Sequence, residues 1–283
     1  SDEDLLRSGV PASLLALPNY VKAGGVLPGI ELFDAGFFGM SRREAERGLA
    51  EKRGWIEAAN ATTPMMKQYA QAKAEHADAI VLFNGDDLSN WVSSRDTTQK
   101  AQWTLAGDAF MVKKGTGNIQ TRQAFTDYQL HLEWRIPQNI TGNGQSRGNS
   151  GVFLGGWGKG DEGYEIQVLD SYNNKTYVNG QAGSIYKQGA PLVNPNRAPG
   201  EWNTYDIVWT APRFNTDGTV KTPARITAFL NGVLVQNNFE VKGTTVYIGK
   251  PTYKAHGPLP IKLQDHGDPS EPISFRNIWV RPL

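Results

Sequence analysis

The sequence predicts an all-β protein, a two-sheet β-sandwich of jelly-roll type preceded by a mainly helical extension. Three observations carry this expectation. From residue 79 onward the apolar residues fall in short alternating runs, the period-two pattern of strands with one buried face. Turn formers separate those runs, and 31 Gly and 16 Pro supply them; many short strands at near-regular spacing indicate a sandwich. Before residue 79 the pattern is helical, so the chain divides into an extension, 1–78, and a β domain, 79–283.

In the extension, Ser41–Lys52 (SRREAERGLAEK) reads as a helix with Ser41 as N-cap and Glu44 at capping-box spacing. Thr63–His76 reads as a second, with Thr63 as cap and Pro64 at the first helical position. Phe33, Phe37, Phe38 and Met40 are the expected buried anchors. Strands are then expected at Ala79–Phe83, Thr104–Val112, Tyr128–Ile136, Gly151–Leu154, Tyr164–Leu169, Asn203–Thr210, Arg225–Leu230, Val233–Val235, Ile261–Gln264 and Ile273–Val280. Asn231-Gly232 between two of them is a strong hairpin mark.

Composition excludes several classes. A net charge of +1 with dispersed basic residues gives no electrostatic case for nucleic acid or a membrane surface. No apolar run approaches the roughly 18 residues of a membrane span, and the first 30 residues lack the pattern of a signal peptide. With no cysteine, there are no disulfides, thiol nucleophiles or thiolate metal ligands.

The strand YEIQVLDS (Tyr164–Ser171) is polar where a simple sandwich strand would be apolar. Side chains alternate across a strand, so Glu165 and Gln167 share one face, opposite Tyr164, Ile166 and Val168. In HLEWRI, His131, Glu133 and Arg135 align; in IKLQDH, Lys262, Gln264 and His266 align. The expectation is one sheet face carrying Glu133, Arg135, Glu165, Gln167, Gln264 and His266 around a polar ligand, with Lys262 and His131 solvated. Loops add candidates. Asn149 in RGNSGVFL supplies both donor and acceptor, Trp157 in GGWGKGD offers a rim plate for a sugar ring, and GSIYKQGA offers Tyr186. Asp265-His266-Gly267 sets an acid beside a titratable base at a strand end.

Two short pieces of the extension resemble other proteins. Pro18–Ala35 and Phe33–Glu46 are similar to a segment near the start of polyketide-type β-ketoacyl synthases, within about the first 50 residues. Thr63–Phe83 resembles the opening of MutS-type mismatch-recognition proteins. Neither carries the functional part, a nucleophilic cysteine in the first and an aromatic-x-Glu element in the second. The expectation is therefore a packing or assembly element.

From Leu82 to Leu283 the chain resembles the DUF1080, or 3-keto-disaccharide hydrolase (3-keto-glucoside lyase/hydratase), family. The landmarks are LFNGDDLSNW at Leu82–Trp91, LEWRIP at Leu132–Pro137, GNSGVFL at Gly148–Leu154, YEIQVLDS, HGPLPIKLQDHG at His256–Gly267 and FRNIWVRPL at Phe275–Leu283. The resemblance implies a concanavalin-like jelly roll whose concave sheet binds carbohydrate, action on glycosides already oxidised at C3, and a periplasmic or extracellular location.

That substrate implies specific chemistry. A C3 ketone acidifies the C2 hydrogen; a base removes it, the C1 substituent is eliminated, and water adds to the enone. The route needs a base, a stabiliser of the enolate oxygen and an acid. Candidates are His266 or Glu165 as base and Arg135 as stabiliser, with Glu133, Asn149, Gln167, Gln264, Trp157 and Tyr186 binding substrate. A divalent ion held by Glu165, His266 and a further oxygen ligand could replace or assist Arg135. Two other functions remain open, a two-carboxylate glycoside hydrolase using Glu133 and Glu165 and a non-catalytic carbohydrate-binding module.

Overall fold

A computed structural model describes residues 78–283. The expected helices Ser41–Lys52 and Thr63–His76, and the anchors Phe33, Phe37, Phe38 and Met40, lie outside the described residues. Within them the chain forms fifteen strands, numbered in chain order, and no α-helix. No helix there is long and apolar enough to cross a membrane.

Eight strands make the larger sheet. Their order is β13 (Val233–Glu240), β12 (Arg225–Leu230), β9 (Trp202–Thr210), β6 (Tyr128–Arg135), β15 (Ser274–Pro282), β4 (Ala109–Met111) and β3 (Thr104–Ala106), with β1 (Ile80–Phe83) also paired to β15. Five make the second: β2 (Trp91–Ser93), β5 (Ile119–Phe125), β14 (Leu259–Leu263), β7 (Asn149–Trp157) and β8 (Glu162–Leu169). β10 (Arg213–Phe214) and β11 (Val220–Thr222) form a separate hairpin. Every pairing is antiparallel. This is the jelly-roll sandwich the alternation predicts.

Burial on one face drives the arrangement. In β9, Asn203, Tyr205, Ile207 and Trp209 are buried and their neighbours are not. From the facing sheet Tyr164, Ile166 and Val168 of β8 enter the same core, with the Tyr164 ring 5.2 Å from that of Trp209. Each such large side chain contributes about 1.5–3 kcal/mol on burial. The Asn231-Gly232 hairpin forms as expected, with φ of 54° and 77° at its two central residues.

Local features differ from the expectation for physical reasons. Thr104–Val112 is two strands, because Gly107 takes φ 65° and turns the chain back. β5 breaks alternation: a register shift against β14 leaves Arg122, Gln123 and Ala124 exposed in a row. The single polar face does not exist, because β6 pairs with β9 and β15 in the larger sheet while β7, β8 and β14 form the other.

Candidate active site

The pocket forms on the face of β14, β7 and β8 that points away from the core. In register, Gly151 of β7 lies opposite Gln167 of β8, and Gln264 extends β14 by donating its N–H to the Gly151 carbonyl (3.1 Å). Asn149, Glu165, Gln167, Gln264 and His266 all line this pocket of about 380 Å³, a volume in the range of small-ligand sites. Sheet position alone would leave these side chains solvated. Gln145, Ser146, Tyr177, Tyr186, Thr245 and Tyr247 come from covering loops, so Glu165 is only 4% exposed and Gln167 1%.

His266 is oriented by Asp268, whose Oδ2 lies 2.9 Å from Nδ1. Burial alone would raise the Asp268 pKa, but hydrogen bonds from His266 and Ser270 and the Lys114 ammonium (3.2 Å) hold it at about 2. Asp268 is therefore an ionised acceptor, which draws an imidazole proton to Nδ1 and leaves Nε2 to face the pocket. Nε2 lies on the pocket side, 3.4 Å from the Asn149 amide nitrogen. The acid expected beside this base was Asp265. That residue instead accepts a hydrogen bond from the Gly117 N–H at 2.8 Å, so Asp268, two residues beyond the base, is the partner.

Glu165 carries the opposite electrostatics. Among the described residues no hydrogen-bond donor reaches its carboxyl group. Burial, reinforced by the nearby Asp161 charge, pushes its pKa up to about 8, so it holds a proton at neutral pH. Its place depends on Gly151, where an added Cβ would stand 2.4 Å from Glu165 Oε1. Gly151→Ala is thus expected to displace the carboxyl group and cut turnover at least tenfold while the chain still folds; kcat and circular dichroism on the purified variant check both parts.

Amides and a lysine finish the frame. Gln167 Nε2 donates to Asn149 Oδ1 (3.1 Å), and Asn149 Nδ2 to the Gln145 carbonyl (2.8 Å). Gln167 Oε1 and Gln264 Oε1 are buried without a protein partner, an arrangement that favours a bound donor or a protonated neighbour. Lys262, expected on a solvated face, is wholly buried. Its ammonium donates to the carbonyls of Trp157, Gly160 and Gly158 (2.6, 2.8 and 3.3 Å), and burial lowers its pKa to about 8 against the pull of Glu162 and Asp161. It clips the β7–β8 turn. Asn118 secures the same turn through Asp161 Oδ1 (2.8 Å), which brings a second carboxylate to the pocket.

This fold and site coincide with a family pattern. The model of the 3-keto-alpha-glucoside-1,2-lyase-like domain matches residues 78–281. The chain belongs to that family. It is a domain of carbohydrate-active enzymes. A crystal structure from Parabacteroides distasonis, provisionally assigned as a glycosyl hydrolase, is 57% identical to this lyase-like chain with a TM-score of 0.68, over 73% of this chain and 84% of that one. A second protein of that organism with the same provisional assignment shares the fold at 21% identity and a TM-score of 0.56, over 79% and 99% of the two chains. Separately, 46 residues are 46% identical to polyketide synthase PksN of Bacillus subtilis. That stretch is 16% of this chain and 1% of the synthase, too little to carry its activity.

In this lyase-like domain several expected site residues stand elsewhere. Arg135 and Glu133 belong to β6, in the larger sheet. The Arg135 guanidinium stacks 4.5 Å over the Trp202 ring, and Glu133 accepts hydrogen bonds from Arg276 (2.7 Å) and Asn277 (2.9 Å). Alternation told the faces of β6 apart but not its sheet. Trp157 is not a rim plate: it packs at 5.8 Å from Tyr164 and 5.7 Å from His256. Tyr186 does line the pocket, its hydroxyl 2.7 Å from that of Tyr177. Glu165 and His266, the expected metal ligands, both face the pocket; among the described residues no three His, Cys, Asp or Glu side chains group to hold a metal. Asp161, Asp268, Tyr177, Thr245 and Tyr247 escaped the sequence reading. Only Asp268, two residues from His266, left a local signal.

Proposed function

We propose that this domain cleaves 3-keto-glycosides by elimination followed by hydration. The observation that carries the reading is the opposed pair in one pocket: an imidazole held through Nδ1 by an ionised Asp268 with Nε2 toward the pocket, and a buried carboxyl group that keeps its proton. Environments that push two titratable groups apart supply an acid and a base together.

His266 Nε2 takes the C2 hydrogen as a proton, and the C–H electrons form the enolate of the C3 ketone. As the carbonyl re-forms, those electrons make the C1–C2 double bond and the C1–O bond breaks. Glu165 protonates the departing oxygen. Water then adds across the double bond: its hydroxyl joins C1 while its proton returns to Glu165, and His266 gives its proton back to C2. With Arg135 on the other sheet, the enolate oxygen is served by neutral donors, the amides of Asn149 and Gln264.

A two-carboxylate hydrolase is the second reading. One observation favours it: Asp161 joins Glu165 in the pocket, a pair that replaces the separated Glu133 and Glu165. Incubation with a glucoside and with its 3-keto derivative separates the readings. Turnover of the keto sugar alone is expected; turnover of the plain glycoside supports the hydrolase, and binding without turnover a binding module. Dialysis against a chelator is expected to leave keto-sugar turnover intact. A loss restored by a divalent ion would instead assign Glu165 and His266 as its ligands. An exported location, periplasmic or extracellular, fits the same reading.

A further inference from the structure

The pocket has two chemically different sides. Floor residues on β7, β8 and the end of β14 are polar. The other side, beyond β8, is built of tyrosines on two loops, and both loops are fastened to the backbone of Glu165. The Tyr186 N–H donates to the Glu165 carbonyl (3.2 Å), and the Glu165 N–H donates to Thr245 Oγ1 (3.0 Å), two residues before Tyr247. β8 is the last strand of its sheet, so these loops continue outward from the acid, away from His266 at the β14 side.

Lys187 joins the two loops. Its ammonium sits 3.7 Å from the centroid of the Tyr177 ring and 5.0 Å from that of Tyr247, a cation held between aromatic faces. Its backbone takes φ 62°, a left-handed conformation unusual for a lysine and typical of positions where placement outweighs local preference. Tyr247 is nevertheless 68% exposed and the adjacent Ile248 84%. A tyrosine braced by a strained lysine yet open at a pocket mouth is prepared for a ring that it does not yet touch.

We propose that Tyr177, Tyr186 and Tyr247 form the leaving-group subsite, which selects glycosides whose C1 substituent carries a ring with an apolar face, an aryl alcohol or a second pyranose. The direction follows from the order of groups across the sheet. His266 must face C2 and Glu165 the C1 oxygen, so a substituent on that oxygen extends past Glu165 onto the tyrosines. Ring-on-ring contact supplies the preference.

This inference rests on the lyase reading for its kinetic arm but has a binding arm that does not. In the kinetic arm, kcat/KM is measured for 3-keto glucosides with phenyl, glucosyl and methyl leaving groups. The phenyl-to-methyl ratio is expected to fall about five- to tenfold in Tyr247→Ala and to be retained in Tyr247→Phe, which keeps the ring. The glucosyl arm tells whether sugars or only aryl groups use the wall. In the binding arm, calorimetry with unoxidised phenyl and methyl glucosides is expected to show ring-dependent affinity that Tyr247→Ala removes. An unchanged ratio together with equal affinities for the two glucosides would overturn the subsite. No keto-sugar turnover alongside ring-dependent binding would instead sink the lyase reading and leave the subsite standing.

Discussion

His266→Ala is expected to lower kcat on a 3-keto glucoside by about a thousandfold while the sandwich stays folded. A positioned base contributes roughly 10²–10⁴ in rate, and no other imidazole lines the pocket. The imidazole is about one-third exposed and lies beyond the end of β14, so its loss removes little core packing. Asp268→Asn should reproduce much of this loss, because an amide can donate to Nδ1 and turn the proton to Nε2. Exchange of the C2 hydrogen with deuterated solvent reports the proton-abstraction step directly. Normal exchange and turnover in His266→Ala would remove this residue from the chemistry.

Glu165→Gln is expected to act in two opposite directions. With a poor leaving group such as methoxide, kcat should fall by at least a hundredfold; with a nitrophenolate, which departs without protonation, the loss should be under tenfold. Wild-type turnover of poor leaving groups should also decline as pH rises through about 8, where Glu165 loses its proton. Stability moves the other way. A carboxyl group whose pKa is raised by folding contributes fully below its unfolded value near 4.5 and progressively less up to about 8. Removing the charge should therefore raise Tm at pH 8, by an amount corresponding to a few kcal/mol at most, and leave it unchanged near pH 4. Equal Tm values for the variant and the wild type at pH 8 would show that burial does not raise the Glu165 pKa.

How far each residue was legible depended on the range of the interaction that places it. The two faces of β8 were readable because alternation is local: Tyr164, Ile166 and Val168 face the core as the pattern required. Glu165, Gln167, Asn149, Gln264 and His266 were found this way or through the family resemblance, and they do converge. The same logic failed for Glu133 and Arg135. Their alternation matches that of β8, but which sheet a strand joins is set by pairing with residues some 70 to 140 positions away.

Local alternation was enough to specify the β class, the strand faces and the polar strand that carries Glu165, because a period of two needs only neighbouring residues. What that strand does depends on how distant segments pack over it. Sealing by the loops of Tyr177, Tyr186 and Tyr247 made a strand face that would otherwise meet water into a place where a carboxyl group keeps its proton. Burial raises the cost of charge, and burial here is created by segments far apart in the chain.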